Sequence, residues 1–183
     1  MRGSQVRSLA PIRFFPMLII FGGLPGVGKT TIARELARQL GAVHLRIDSI
    51  EQAIRDCGKM NGPLDESGYC VAYAVAKDNL LVGRTGVADS VNPLLVTRDS
   101  WADVASGAGV SKLEIEITCS DPKLHRQRLE ARPADIAGLR LTWEEVISRE
   151  YEPWNREHIV LDTAAMNVAD AVDELRKHLE KQM

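Results

Sequence analysis

The stretch MLIIFGGLPGVGKTT, residues 17–31, leaves few folds open. Five consecutive apolar residues, MLIIF, read as a short strand buried on both faces. Two glycines then turn the chain. From residue 28 to 40 the segment carries Ile32, Leu36 and Leu40 at four-residue spacing, with Gly41 placed to end a helix. A fully buried strand followed by a helix fits a parallel sheet covered on both faces.

Gly23-Leu24-Pro25-Gly26-Val27-Gly28-Lys29-Thr30 satisfies the pattern G-x-x-x-x-G-K-[ST], and Thr31 adds a second hydroxyl. The glycines let backbone N–H groups close on a phosphate, and the helix start adds partial positive charge. Lys29 reaches the terminal phosphate oxygens, and the Thr30 hydroxyl takes Mg²⁺. The expected ligand is ATP with Mg²⁺.

The rest of the 183-residue chain repeats the alternation. Strands are expected at 42–47, ending at Asp48, and at 86–91, 112–120 and 158–162. Between them fall helices at about 49–58, 66–83, from Pro93 to about Ala105, and from Asp121-Pro122 through HRQRLEAR. A short helix begins near Trp143, and Val168, Val172, Leu175 and Leu179 stripe a closing one. This reads as an α/β fold, a three-layer α/β/α domain around a five-stranded parallel sheet. One domain spans 17–183, with a small lid near 132–142. Residues 1–16, basic and interrupted by Pro11 and Pro16, read as a flexible extension ahead of a natural start at Met17.

The net charge of −2 argues against a wide grip on nucleic acid. No apolar run reaches the ~18 residues of a membrane span. Cys57, Cys70 and Cys119 are scattered, so they are expected to be buried thiols of a cytoplasmic protein rather than metal or disulfide partners.

Ligands bind at the carboxyl ends of strands in open α/β sheets, and Asp48 and Asp89 lie at such ends. Each could take a proton from an attacking hydroxyl, hold Mg²⁺ or its waters, or simply cap a helix. Arg98 falls in the middle of an apolar helix face, which calls for a partner. That partner is a phosphate or a carboxylate, with Asp89 near. Arg128 and Arg132 are one turn apart and suit base stacking and phosphate gripping, while Arg140 lies in the glycine-containing loop beyond. A solvated basic helix face is the alternative. His125 is expected at the surface. Tyr69 and Tyr73 fit either a pocket wall or the core.

With GLPGVGKT, LRID and ADSVNPLLVTR in place, the chain resembles the small P-loop kinases. These include polynucleotide kinase domains, zeta-type toxins, chloramphenicol phosphotransferase and gluconate kinase, and the local likeness is strongest to polynucleotide kinases. The resemblance covers residues 17 to about 180 by element order. It implies that Asp48 is the general base, that Asp89 and Asn92 lie by the γ-phosphate and acceptor, and that Arg128 and Arg132 meet adenine and phosphate. Arg140 becomes a lid arginine. Where polynucleotide kinases carry a substrate-binding arginine shortly after the base, this chain has Glu51, with Arg55 a turn later. No DxxG follows the third strand, and no phosphatase domain is present.

The implied activity is transfer of the γ-phosphate of ATP to a hydroxyl of a small molecule. Lys29, Asp48, Asp89 and Arg132 would act in catalysis, with Arg55, Asn92, Arg98 and Arg140 on the acceptor side. A nucleotide-hydrolysing regulatory protein and a 5′-hydroxyl polynucleotide kinase are the alternatives.

Overall fold

The computed structural model describes residues 16–58, 66–131 and 141–181. Its strands are β1 (Met17–Gly22), β2 (Val43–Arg46), β3 (Gly86–Asp89), β4 (Ser111–Thr118) and β5 (Ile159–Asp162). They form one sheet in the order β2-β3-β1-β4-β5, with every pairing parallel. Connecting them are α1 (Lys29–Leu40), α2 (Ile47–Asp56), α3 (Ser67–Leu81), α4 (Leu95–Gly107), α5 (Pro122–Ala131), α6 (Trp143–Ile147) and α7 (Val168–Glu180).

The uninterrupted apolar run makes β1 the centre, and all six of its residues are buried. Met17, Ile19 and Phe21 face the layer built by α1 and α7, where Ile32, Leu36, Val172 and Leu175 pack. Leu18 and Ile20 face α3 and α4, against Ala72, Ala76, Leu80 and Trp101. The small residues of α3 let that helix approach the sheet closely, so α-helix covers both faces of β1 as the apolar pattern demands.

Register places the functional edge. Phe21 pairs with Asp89, Gly22 with Glu116, and Arg46 with Asp89. The carboxyl ends of β2, β3 and β1 therefore stand side by side, and the glycine loop leaves from β1, the central strand of the sheet.

Several boundaries move. β2 stops at Arg46, which caps α2, so Asp48 sits in the first turn of that helix rather than at a strand end. β3 stops at Asp89, because Asn92 adopts a positive φ of 47° that no strand accommodates. The α5 start is as expected: Asp121 Oδ1 accepts from the backbone N–H groups of Lys123 at 2.9 Å and Leu124 at 3.2 Å. Cys57 and Cys70 are exposed, not buried, and Cys119 is partly so. The basic extension, except Phe15's neighbour Pro16, and all but two residues of the expected lid lie outside the described residues. Among the described residues no helix is long and apolar enough to cross a membrane.

Beyond α6 the chain crosses the start of α4 before entering β5. Glu152 N–H donates to Pro93 O at 2.8 Å, and the Glu152 carboxylate accepts from Leu95 N–H. Trp154 and Tyr151 from this strap lie against Gly22, where a Cβ would come within 2.8 Å of Trp154 Cζ2.

Candidate active site

The loop between β1 and α1 is held open by its neighbours. Gly23 N–H donates to Val91 O at 3.0 Å, and its φ of 130° is open only to glycine. A Cβ there would lie 2.1 Å from Ile117 O. Gly26 and Gly28 also have positive φ, 87° and 99°. Pro25 and Val27 are buried and Leu24 partly so, while Thr30 is half-buried and Thr31 exposed. Lys29 is buried, its ammonium donating to Leu24 O at 3.0 Å.

Two side chains that carry no recognisable signature brace this loop. His125, expected at the surface, is buried, with Nε2 2.8 Å from Pro25 O. A carbonyl only accepts, so Nε2 carries the proton. Its ring meets Trp143 edge-on at 5.0 Å. The Thr163 hydroxyl lies 2.8 Å from Val27 O and 3.0 Å from Thr118 O. Arg128 donates to Thr163 Oγ1 at 2.8 Å and Thr163 O at 3.1 Å. It is thus tied to the loop through one residue. None of these contacts has a local sequence signal, because the partners are 35 to 136 positions apart.

Asp89 ends β3 beside that loop and is only 3% exposed. Burial alone pushes its carboxyl up, yet contacts with His44 and Thr30 and the nearby Lys29 ammonium outweigh it and hold the group below its ordinary range. His44 Nε2 lies 3.3 Å from Asp89 Oδ2. Asp48 is different: its side chain is 41% exposed at the start of α2, with Arg46 donating to Oδ2 at 3.1 Å. One turn on, burial and the Asp48 charge push the Glu51 carboxyl up, against the pull of Arg55 and Arg149. Arg55 reaches Glu51 Oε2 at 3.5 Å. Tyr69, partly buried behind them, accepts from Asn92 N–H at 3.4 Å.

Two expected acceptor contacts are corrected. Asn92 is 0% exposed, and its Nδ2 donates to Phe21 O at 2.7 Å. It ties the β3–α4 turn to β1. Arg98 is also 0% exposed and does not pair with Asp89. Its guanidinium donates to the carbonyls of Asn92 at 2.9 Å, Pro93 at 3.1 Å, Glu152 at 2.8 Å and Pro153 at 3.3 Å. Trp154 and Tyr151 cover it, with ring centroids 4.3 and 5.1 Å away. The charge is satisfied by carbonyl dipoles and aromatic faces instead of a carboxylate. Tyr73 belongs to the core, edge-on to Trp101 at 4.6 Å. Arg132 and Arg140 lie outside the described residues.

The donors suit the expected ligands. Positive φ at Gly23, Gly26 and Gly28 curls the loop, a Cβ at Gly23 or Gly26 would press on Ile117 or His125 behind it, and the backbone N–H groups of such a curled loop at a helix start suit a phosphate. A charged carboxylate beside a threonine hydroxyl is a hard oxygen set of the kind Mg²⁺ takes. Among the described residues no group of three or more His, Cys, Asp or Glu is placed to hold a metal ion.

A glycine loop at the carboxyl edge of a β2-β3-β1-β4-β5 parallel sheet, ending on a buried lysine, defines a P-loop protein with the fold of the small kinases. The chain belongs to the AAA domain family AAA_33, which it matches over residues 18–149. A shikimate kinase of Corynebacterium efficiens is 34% identical over 132 residues, 63% of this chain and 78% of that one. An uncharacterised Mycobacterium tuberculosis protein is 40% identical over 62 residues, 32% of this chain but 12% of that protein, so this chain spans a small part of it. Among solved structures, a Chloroflexus aurantiacus protein assigned as a kinase superposes with a TM-score of 0.73 at 21% identity, covering 93% of this chain and 99% of that one. The APS kinase CysC of M. tuberculosis, complexed with AMPPNP and APS, gives 0.69 at 19%, covering 91% and 98%.

Proposed function

We propose that the protein transfers the γ-phosphate of ATP to a hydroxyl of a small-molecule acceptor. The observation that carries this is the division of labour between two carboxylates at one sheet edge. Asp89 is buried and kept charged beside Lys29 and Thr30, whereas Asp48 is open to solvent at a helix start. One is suited to a fixed cation and the other to an exchanging substrate.

In this reading the Asp48 carboxylate takes the proton of the acceptor hydroxyl. That oxygen forms a bond to the γ-phosphorus as the bond from phosphorus to the β–γ bridging oxygen breaks, and ADP leaves with the electron pair. Lys29 leaves Leu24 O and stabilises the charge on the moving group. Backbone N–H groups from Gly26 to Thr30 hold the β-phosphate, and Arg128, anchored on Thr163, offers its planar face to adenine. Bound through Thr30 and Asp89, Mg²⁺ would neutralise phosphate oxygens. Roles for Arg132 and Arg140 rest on the sequence alone. The fold shared with an APS kinase complexed with AMPPNP and APS, and the 34% identity with a shikimate kinase, support the same class of reaction.

The test is ATP consumption across panels of sugars, nucleosides, amino alcohols, aromatic alcohols and 5′-hydroxyl oligonucleotides. Asp48→Asn should cut kcat by ~10²–10⁴-fold on the true acceptor, with AMPPNP affinity unchanged. ATP hydrolysis that no acceptor accelerates would overturn the transferase reading. Unaltered kcat in Asp48→Asn would overturn the base assignment.

A further inference from the structure

Asp89 is held on its outer side by a residue that no motif marks. His44 lies on β2, the edge strand of the sheet, in register with Val87. Asp89 is two positions further along β3, so both side chains leave the same face of the sheet. Diagonal neighbours lie further apart than directly opposed residues, so a long or aromatic side chain is needed to join them. The imidazole spans that gap and places Nε2 3.3 Å from Asp89 Oδ2.

Lys29 and Thr30 from α1 and His44 from β2 face the Asp89 carboxylate, and Arg46 stands opposite Asp89 in register on β2. Contact with His44 is the largest influence keeping it charged against burial. Core packing does not account for the ring. Its side chain is 21% exposed and opens onto a cavity of about 280 Å³ shared with Arg34, Arg46 and Ser49. An imidazole N–H on one oxygen of a ligating carboxylate fixes that carboxylate's rotation and its charge.

We infer that His44 is a positioning residue of the magnesium–nucleotide site, fixing Oδ2 of Asp89 so that the carboxylate stays turned toward Thr30 and the cation. This rests on the reading of Asp89 as a magnesium-holding group. His44 touches neither nucleotide nor acceptor in this role. Its removal should therefore weaken the response to Mg²⁺ and leave metal-free nucleotide binding alone.

The experiment is calorimetric binding of AMPPNP to the full chain over a range of Mg²⁺ concentrations. Two variants are compared with the natural protein. His44→Gln keeps an N–H donor of similar reach, and His44→Phe keeps a ring without one. His44→Phe should bind AMPPNP normally without metal but need ~10–100-fold more Mg²⁺ for the tightening. His44→Gln should recover most of that loss, which a packing role would not produce. A metal response in His44→Phe equal to that of the natural protein overturns the inference, as does an equal deficit in both variants. If His44→Phe does not fold, His44→Ala against His44→Gln makes the same comparison. Magnesium-independent AMPPNP binding by the natural protein would instead remove the reading of Asp89 beneath it.

Discussion

A Cβ at position 23 would come within 2.1 Å of Ile117 O, a backbone atom with no freedom to retreat. That single contact explains why the loop spells glycine there, and the G-x-x-x-x-G-K-[ST] spacing made it readable in advance. Glu51 is the opposite case, a residue whose environment no pattern announces. Gly68 on α3 makes room for it, since a Cβ at Gly68 would lie 2.4 Å from Glu51 Cγ. Burial first, then Asp48, push its carboxyl above the model-peptide 4.5. An acid with a raised folded-state pKa gives stability that is complete below the unfolded value and lost as pH rises through the folded one. Glu51→Gln should therefore raise Tm at pH 7, and the difference should vanish below about pH 4.5. The gain is small because the group is half in solvent. Thermal melts at pH 4 and pH 7 check this, and a lower Tm at pH 7 would mean that the Arg55 and Arg149 attraction wins. Lys29, Thr30 and Asp89, which the fold brings together, stand at positions that local spacing marks. His44, His125 and Thr163 do not, because each acts on a partner brought near only by folding.

Elements were legible where one periodicity ruled them. MLIIF is a strand as read, KLEIEITCS is strand as far as Thr118, and of the Val168, Val172, Leu175, Leu179 stripe the last three are buried on α7 while Val168 is exposed. The β2–α2 junction was misplaced because AVHLRI keeps its alternation through Ile47, although the chain turns helical there. Arg98 shows the same limit on α4. Its place on an apolar face announced burial, but two of its carbonyl partners come from a strap 54 and 55 residues away. The strap has no regular structure of its own, so the arginine supplies what a ladder would otherwise give. Arg98→Met should leave the carbonyls of Asn92, Glu152 and Pro153 without this donor, Pro93 O keeping Glu152 N–H, and destabilise the fold by about 3–5 kcal/mol, given 1–3 kcal/mol for each buried group left unpaired and partial relaxation. Arg98→Lys keeps the charge but not the planar fork, so it should recover only part of that loss. Urea denaturation measures both, and stability in Arg98→Lys equal to the natural protein would refute the staple.

At the scale of the whole molecule, strand order decides what the loop can do. Chain spacing announced five parallel strands but not that β3 would lie beside β1. That adjacency brings Asp89 against Lys29 and Thr30, and it follows from packing both faces of MLIIF rather than from any motif. The loop is also joined to the far ends of the chain. Pro25 is held from α5 by His125, Val27 from the end of β5 by Thr163, and Gly23 from the β3–α4 turn by Val91. A ligand that fills the loop therefore binds a surface that exists only when all of these segments are assembled, and it should stabilise the fold as a unit. With AMPPNP and Mg²⁺ at 100 times Kd the native state gains about 2.7 kcal/mol. For a chain of this size that corresponds to a rise in Tm of ~5–11 °C. Lys29→Ala should abolish most of the shift, because the ammonium beside Leu24 O and Asp89 is the loop's side-chain charge for the phosphates. A scanning-calorimetry shift of full size in Lys29→Ala would mean that the nucleotide binds somewhere other than this loop.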